Sequence, residues 1–235
     1  MKKVLVSHSY FYRFDKKQWE TKDPYTPQMT MIVAALMRRN GYEVRLFDSC
    51  LQESEEAIIP ILDSFKPDYF VVFDDGFNYL TKMCLTTMRE AAFRMQKLAK
   101  SAGAVTITCS SDSTDHLQKY LEHSGDYVIK GEGEISLEEL IKTIEKGEDP
   151  KQVKGISYLE NGEVINNPPR GVNRNLDDLP FPAWDLVDVE AYRNIWNQRR
   201  GPFYLNIATT RGCPYKCNWC AKPIYGNRYN VRSPK

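Results

Sequence analysis

The sequence predicts an α/β fold in which a parallel five-stranded sheet carries helices on both of its faces. Over about the first 130 residues, short β-rich runs alternate with stretches of helical hydrophobic periodicity. One run, Asp68–Phe73, is apolar throughout after its first residue, which is typical of a strand buried on both faces. Strands joined by helical crossovers pair in parallel, and the helices cover both faces of the sheet.

The predicted elements follow one another in a regular order. The five strands are Lys3–Ser7, Glu43–Phe47, Asp68–Phe73, Ala104–Cys109 and Asp126–Lys130. The helices are Pro27–Asn40, Glu55–Phe65, Asn78–Ser101, Thr114–His123 and Ile135–Lys146. Gly41 and Pro67 follow the first two helices and are typical helix-stop signals. The pattern therefore indicates a flavodoxin-like or Rossmann-like domain.

The loops that follow the first, third, fourth and fifth strands form the candidate binding site. Ligands of open parallel sheets bind beyond the carboxyl ends of the strands, at the point where the strand order reverses. The candidate binding residues in these loops are Ser7, His8, Ser9, Asp75, Gly76, Ser110, Ser111, Gly131, Glu132 and Gly133.

After residue 147 the alternation of predicted strands and helices ends. Gly155–Tyr158 and Glu163–Ile165 flank an Asn-Gly pair, which predicts a β-hairpin. Residues 166–183 hold four of the 13 prolines and read as a linker, and Phe203–Ala208 is predicted as a new strand. The predicted division is a first domain over 1–147, a linker with a hairpin over 148–200, and a second domain that begins at 201.

Composition sets the class of protein. The 235 residues are 42% hydrophobic and 27% charged, which is typical of a globular chain and excludes disorder. No apolar run approaches the ~18 residues of a membrane span, and the run after Lys3 is shorter than the ~7–15 residues of a signal peptide. The sequence therefore predicts a soluble, cytoplasmic chain with no membrane partner.

Three of the six cysteines lie within eight residues, in the pattern Cys213-x-x-x-Cys217-x-x-Cys220. Thiolates this close bind one iron-sulfur cluster or one zinc ion. A structural zinc ion needs a fourth ligand, but neither Cys nor His follows Cys220 in this sequence. The pattern therefore favours a 4Fe-4S cluster with one iron open to another chelator. The other cysteines (Cys50, Cys84 and Cys109) are predicted to be small buried residues.

The cysteine motif, with Trp219 just before its third cysteine, resembles the signature of radical S-adenosylmethionine (SAM) enzymes. The resemblance implies that the three cysteines bind three irons and that SAM chelates the fourth. One electron would then cleave SAM to a 5′-deoxyadenosyl radical, supplied by an electron donor such as flavodoxin or ferredoxin. Trp219 would pack beside the adenine or serve as a hydrophobic anchor. Arg211 would face the cluster, the SAM carboxylate or solvent.

Features along the whole chain resemble the cobalamin-binding radical SAM enzymes. They are the five-stranded domain, the Gly131–Glu134 turn, the hairpin, the string Leu176–Pro182 and the Arg-Gly-Cys-Pro that starts at Arg211. In that subfamily a cobalamin module is followed by a linker and a partial (β/α) barrel. The resemblance therefore implies that residues 1–147 bind cobalamin and that residues 201–235 begin the radical SAM domain.

Two departures from the family pattern qualify the cobalamin site. The Asp-x-His-x-x-Gly motif is absent after the first strand, where Ser7-His8-Ser9 stands instead. Cobalamin is therefore expected to bind without a histidine ligand, which leaves His8 a structural or pocket-lining role. Ser110 and Ser111 stand where relatives often have Gly-Gly.

The resemblance implies a cobalamin-dependent radical SAM methyltransferase that acts on an unactivated carbon, or on phosphorus, of a small molecule. One alternative is a cyclase or rearrangement enzyme of the same family. Another is a flavodoxin-like binding module with a C-terminal zinc site, for which Asp74 and Asp75 would supply an acidic pocket. Because a barrel needs many more residues than follow Cys220, the sequence also predicts a fragment that is inactive alone.

The C-terminal segment is strongly basic. From Ala191 to Lys235 there are nine basic residues and no acidic ones. Such a run can bind nucleic acid, but it lacks the aromatic stacking platform of known modules. We therefore expect its acidic partners in a part of the protein that this chain lacks, and no nucleic-acid partner.

Overall fold

A computed structural model describes residues 1–74, 85–199, 201–215, 217–218 and 229–234. Its centre is a seven-stranded sheet with the strand order β2-β1-β3-β4-β5-β6-β7. These strands are β1 (Lys3–Ser7), β2 (Glu43–Phe47), β3 (Tyr69–Phe73), β4 (Val105–Cys109), β5 (Tyr127–Ile129), β6 (Ile156–Glu160) and β7 (Glu163–Asn166).

The first five strands pair in parallel, with β1 between β2 and β3 and then β4 and β5 beyond β3. The order 2-1-3-4-5 is that of flavodoxin-like sheets, in which the connections reverse direction between β1 and β3. This arrangement confirms the predicted α/β fold with a parallel five-stranded core.

The hairpin β6–β7 continues the sheet instead of standing apart in a linker. β6 pairs antiparallel with β5, and β7 pairs antiparallel with β6. Asn161 and Gly162 connect the two strands with φ of 54° and 84°, the left-handed geometry that suits an Asn-Gly turn. The predicted hairpin is therefore present, at the edge of the main sheet. The division of the chain into domains stays a prediction.

Helices cover both faces, as predicted. The described α-helices are α1 (Lys16–Thr21), α2 (Gln28–Arg39), α3 (Ile59–Phe65), α4 (Leu85–Ser101), α5 (Ser111–Asp115), α6 (Leu117–Glu122), α7 (Glu134–Lys146) and α8 (Val189–Trp196). Successive side chains of β1 point to opposite faces of the sheet. Val4 and Val6 pack with α2 and α7 on one face, whereas Leu5 packs with α3 and α4 on the other. The sheet is thus buried on both sides.

Two helices begin or divide differently from the prediction. The helix predicted over 55–65 starts as a 3-10 turn, Glu55–Ile58, and Pro60 lies in the first turn of the α-helix that follows. The helix predicted over 114–123 starts earlier, because Ser110 caps it, and divides at His116. Residues 78–84 of the third predicted helix, including Cys84, lie outside the described residues.

The C-terminal part differs most from the prediction. Residues 203–208 form no strand within the described part of the chain, and Tyr204 and Ile207 are 57% and 73% exposed. Instead, β8 (Thr210–Gly212) and β9 (Tyr229–Val231) form a small antiparallel ribbon. The prediction of a strand at Phe203–Ala208 is therefore wrong for this chain, because no described strand lies beside it to pair with. No described helix has the length and apolar character needed to cross a membrane.

Candidate functional site

The carboxyl ends of β3, β4 and β5 surround a small, partly open cleft. α2 contributes one further side chain to its wall. The lining residues are Met29, Phe73, Asp74, Cys109, Ser110, Ser111, Gly131, Glu132, Gly133 and Glu134. The fold therefore brings together Ser110, Ser111 and the Gly131–Gly133 turn, as the sequence predicts for a site at this edge.

Two glycines shape the cleft in different ways. Gly131 has φ of 76°, and a Cβ atom built there would meet nothing within 4 Å, so its backbone faces open space. A Cβ atom on Gly133 would lie 2.4 Å from Cys109 Sγ and 2.8 Å from Phe73 Cε2. Gly133 therefore lets the start of α7 sit directly on the ends of β3 and β4.

The serines after β4 hold the first turn of α5. The Ser110 hydroxyl accepts the Ser113 N–H at 2.8 Å, and the Ser113 hydroxyl accepts the Ser110 N–H at 3.0 Å. Behind this turn, Arg89 donates two hydrogen bonds to Asp112, at 2.6 and 2.7 Å. The loop is thus built on a partly buried ion pair, and its small residues leave the cleft open.

Asp74 lies between the β1 loop and the cleft. Its carboxylate accepts the Ser9 N–H at 2.7 Å and the Ser9 hydroxyl at 2.8 Å. Burial raises the pKa of Asp74, while these two hydrogen bonds act in the opposite direction. Ser9 therefore contacts the candidate site through Asp74. The predicted residues Asp75 and Gly76 lie outside the described residues.

Ser7 and His8 face β2 and do not line the cleft. The Ser7 hydroxyl donates to the Phe47 carbonyl at 2.9 Å. His8 Nε2 donates to Asp48 at 3.0 Å, and Nδ1 lies 3.2 Å from the Ser49 hydroxyl. His8 is only 3% exposed, so hydrogen bonds inside the protein engage both ring nitrogens. Any cofactor contact of Ser7, His8 or Ser9 stays a prediction.

The two described thiols of the cysteine motif differ in exposure. Cys213 is half-buried, Cys217 is exposed, and neither forms a disulfide. The predicted ligand Cys220 and the predicted adenine contact Trp219 lie outside the described residues, and no group of three metal-binding side chains occurs among the described ones. Two free thiols on one short loop fit the donors of a cluster or a zinc ion. The ligand set therefore stays a prediction.

Arg211 joins the cysteine loop to the cleft. Its Nη1 lies 3.1 Å from Glu132 Oε1 and its Nη2 lies 2.5 Å from Glu134 Oε1, and all three side chains are at most 4% exposed. Glu132 also accepts the Asn173 N–H from the linker. Burial raises the pKa of Glu132, while the hydrogen bond from Asn173 and the charge of Arg211 lower it. The alternative that left Arg211 in solvent is therefore wrong.

Several arginines of the basic segment find their partners within the chain. Arg211 pairs with two glutamates, Arg199 Nη1 lies 2.9 Å from Asp23, and Arg232 donates to the Pro180 carbonyl at 3.2 Å. The expectation that acidic partners lie beyond the chain is therefore wrong for Arg199 and Arg211. The described part of this segment therefore contacts both the sheet and the linker.

The candidate binding residues predicted from the sequence did not include several residues of the cleft: Met29, Phe73, Asp74, Cys109 and Glu134. Phe73 and Cys109 end strands that were identified, and their positions beside the loops were a usable signal. For Arg211 the signal was charge, because a segment without acidic residues must pair with acids far away in the sequence. Nothing in the local spacing singled out Glu134 from the neighbouring glutamates.

Curated relatives match most of this chain. A hopanoid C-3 methylase from Methylococcus capsulatus is 31% identical over 206 residues, which are 86% of this chain and 37% of the relative. An uncharacterized methyltransferase from Pyrococcus horikoshii is 27% identical over 217 residues, which are 88% of this chain and 43% of the relative. The chain thus spans less than half the length of these two relatives. No protein-family model matches the sequence.

Solved structures match the fold over nearly the whole chain. The cobalamin-dependent SAM radical enzyme OxsB, with aqua-cobalamin and SAM bound, has a TM-score of 0.73 and 20% identity; the match covers 99% of this chain and 30% of OxsB. The radical SAM methyltransferase TsrM from Kitasatospora setae, with cobalamin and a [4Fe-4S] cluster bound, has a TM-score of 0.67 and 19% identity; the match covers 99% of this chain and 44% of TsrM. At these identities the likeness establishes the fold.

Taken with the relatives, the predicted resemblance is confirmed. The chain is similar to the cobalamin-binding radical SAM enzymes, and it corresponds to part of the length of the relatives that it matches.

Proposed function

We propose that this chain supplies the cobalamin-binding part and the cluster-binding loop of a radical SAM methyltransferase. The observation that carries the proposal is the contact between the two candidate sites. Arg211, two residues before Cys213, is bound to Glu132 and Glu134, which line the cleft at the edge of a flavodoxin-like sheet. A sheet of this order binds its ligand at that edge.

The residues around the cleft fit a large cofactor that lies against backbone. Gly131 faces open space, and Ser110 and Ser111 add little bulk to the wall. We assign Ser110, Ser111, Gly131, Glu132 and Gly133 to the cobalamin site, with Asp74 added from the structure. Cobalamin would supply a methyl group, and a 4Fe-4S cluster held by Cys213, Cys217 and Cys220 would bind SAM and supply the electron that cleaves it.

The chain's own residues do the positioning. Asp74 fixes the β1 loop through Ser9, and Gly133 brings the first turn of α7 against β3. Arg211 holds the cysteine loop beside the same edge. Placing two reactive groups at one protected edge is the protein's main contribution to such a reaction.

Three relatives match most of this chain: the two at 27% and 31% identity are named as methyl-transferring enzymes, and the one at 24% is a cyclase from Rubrivivax gelatinosus. Methyl transfer is proposed over cyclisation because the two relatives of higher identity support it. The substrate we propose is a small molecule that is methylated at an unactivated carbon, with a flavodoxin or ferredoxin as the electron donor. Trp219 is proposed to contact SAM.

Cofactor analysis tests the proposal. The chain is purified without oxygen, incubated with iron and sulfide, and titrated with hydroxocobalamin. We expect about four irons and four sulfides per chain, the content of one 4Fe-4S cluster, and one cobalamin. Cys217→Ala is expected to lose the iron but keep the cobalamin. Cys50→Ala, a buried cysteine elsewhere in the fold, is the matched control and keeps both.

Two outcomes would contradict the proposal. Stoichiometric zinc without iron would support a binding module with a zinc site. Full iron content in Cys217→Ala would show that the ligand assignment is wrong. In a protein of the relatives' length, with both cofactors loaded and a reductant present, transfer of a labelled SAM methyl group to a candidate substrate distinguishes methylation from cyclisation.

A further inference from the structure

We propose that Arg211 is a positioning residue that fixes Cys213 relative to the edge of the sheet where the cleft lies. Through this contact, ligand binding in the cleft changes the exposure of Cys213, and changes in the cysteine loop alter binding in the cleft. The inference rests on the proposed function for the identity of the two cofactors. The contact itself is a property of the chain alone. It joins residues separated by 77 and 79 positions in the sequence.

The ion pairs of Arg211 are buried. Arg211, Glu132 and Glu134 are each at most 4% exposed, so solvent screens their attraction very little. Arginine presents several donors in a fixed plane, and here Nη1 serves one glutamate while Nη2 serves the other. A lysine could not satisfy both carboxylates from the same place. The position of the Arg211 backbone is therefore set by two acceptors at the cleft.

The ribbon of β8 and β9 is held together by its own hydrogen bonds and is also bonded to the linker. The Arg232 N–H donates to the Thr209 carbonyl at 2.9 Å, and the Asn230 side chain donates to the Asn173 carbonyl at 2.9 Å. The Asn173 N–H in turn donates to Glu132. β8, β9, the linker and the Gly131–Glu134 turn therefore form one hydrogen-bonded unit.

The ion pairs of Arg211 lie between the cleft and Cys213. Glu132 and Glu134 line the cleft, and Arg211 lies one residue from Gly212, which leads directly to Cys213. A ligand that shifts the Gly131–Glu134 turn therefore also shifts the segment that carries Cys213, through the ion pairs of Arg211. Two sites that share one element in this way influence each other's binding reciprocally.

The test measures alkylation of Cys213 in the iron-free chain, with iodoacetamide and residue-resolved mass spectrometry. In Arg211→Met we expect the Cys213 rate to rise by a factor of about 5 to 30, since loss of the ion pairs makes local opening more frequent. Cys217 is already exposed, so its rate is expected to stay within about twofold. Arg211→Lys is expected to restore part of the protection.

A second variant separates position from charge. Arg211→Met removes a positive charge near the thiol, whereas Glu134→Met removes a negative one. A direct charge effect on the thiolate would move the two alkylation rates in opposite directions, but loss of positioning raises both. Glu134→Met also keeps the proposal testable if Arg211→Met fails to fold.

The matched control is Arg89→Met. Arg89 and Asp112 form another two-bonded ion pair at this sheet edge, 11% and 8% exposed, with no hydrogen bond to the ribbon among those described. Its loss should lower the stability of the fold without raising Cys213 alkylation. Equal Cys213 rates in wild type, Arg211→Met and Glu134→Met, with all three folded, would overturn the proposal.

Hydroxocobalamin provides the final arm. At saturation it is expected to slow Cys213 alkylation in the wild type and to leave the rate unchanged in Arg211→Met. If absorbance titration shows no cobalamin binding, the proposed function fails, while the comparison of variants still decides the role of Arg211. If cobalamin binds but slows the Cys213 reaction equally in both chains, the coupling through Arg211 is wrong.

Discussion

At Gly133 the start of α7 meets the ends of β3 and β4 without a side chain between them. A Cβ atom there would come within 2.4 Å of Cys109 and 2.8 Å of Phe73, both of which are buried. One of these two packed side chains must therefore shift to make room for a Cβ atom. The requirement for glycine at this position is therefore steric, since its φ of −93° is open to any residue.

Gly133→Ala is expected to lower the free energy of unfolding by about 1–3 kcal/mol, the usual cost of overpacking. Gly171→Ala is the matched control, because a Cβ atom there would meet nothing within 4 Å. Its effect should stay within about 0.5 kcal/mol. Urea unfolding of the two variants measures the difference. Equal midpoints would show that α7 can move away from the strands at little cost.

Asp74 carries a prediction about pH. Its pKa is raised in the fold because burial disfavours the carboxylate. A carboxyl group whose pKa is higher in the folded than in the unfolded chain stabilises the fold at pH values below its unfolded pKa, near 3.8. This contribution is lost as the pH rises through the pKa of the folded state. Asp74→Asn, which can still bond to Ser9, is therefore expected to stabilise the fold at pH 7 by on the order of 1 kcal/mol, and less at pH 3.5.

Asp68→Asn should show the opposite sign. Burial raises the pKa of Asp68, but hydrogen bonds from the Lys2 side chain and the Lys3 N–H outweigh burial and hold it below its usual value. A lowered acid pKa gives stability above the unfolded value that is lost in acid. Thermal unfolding at several pH values compares both variants with the wild type. Parallel pH profiles for the two would show that these charges do not govern stability.

At the scale of elements, α8 ties the C-terminal half of the chain to the start of the sheet. The Tyr192 hydroxyl donates to Asp48 at 2.8 Å, and Asp48 also accepts from His8. Trp196, 1% exposed, donates from Nε1 to the Pro24 carbonyl at 2.7 Å. These contacts make α8 a cover over the β1 loop.

Tyr192→Phe is expected to cost about 1.5–3 kcal/mol of unfolding free energy, since it removes a buried hydrogen bond to a carboxylate. Tyr42→Phe is the same substitution at an exposed pair, Tyr42 and Glu145 at 3.0 Å, and should cost less than about 1 kcal/mol. Chemical unfolding monitored by circular dichroism gives both values. Equal costs would mean that α8 docks independently of its bond to Asp48.

The contrast between β1 and α8 shows what sequence patterns can predict. β1 is visible because its apolar run is local, whereas α8 spans eight residues and its buried Tyr192 and Trp196 stand out only once Asp48 and Pro24 are beside them. Phe203–Ala208 has the pattern of a strand, but pairing depends on a neighbour that pattern does not supply. Local periodicity therefore predicted the sheet and missed the elements defined by distant contacts.

The candidate site divides in the same way. The Gly131–Gly133 turn and the Ser110 loop could be placed at one edge because parallel strands end together. The role of Arg211 could not, because its two acceptors lie 77 and 79 residues upstream. Likewise, the hydrogen bonds that engage both ring nitrogens of His8 come from β2's loop, and no spacing around His8 indicates them.

At the scale of the whole molecule, the two candidate cofactor sites arise from different parts of the chain. The cleft is built from the ends of β3, β4 and β5, and the thiols lie after β8. If the proposed assignments hold, loss of the cluster leaves the cleft intact, because Arg211 and its glutamates do not depend on Cys217. Binding of one cofactor can then be measured in the absence of the other.

Hydroxocobalamin is therefore expected to raise the melting temperature of both the wild type and Cys217→Ala. A ligand at 100 times its Kd adds about 2.7 kcal/mol to the stability of the state that binds it. Ser111→Trp should abolish the shift, because Ser111 lines the cleft and an indole there would fill it. The iron content of Ser111→Trp should stay normal, which separates a blocked cleft from a lost fold. A shift in the wild type that vanishes in Cys217→Ala would show that the cleft forms only around an assembled cluster.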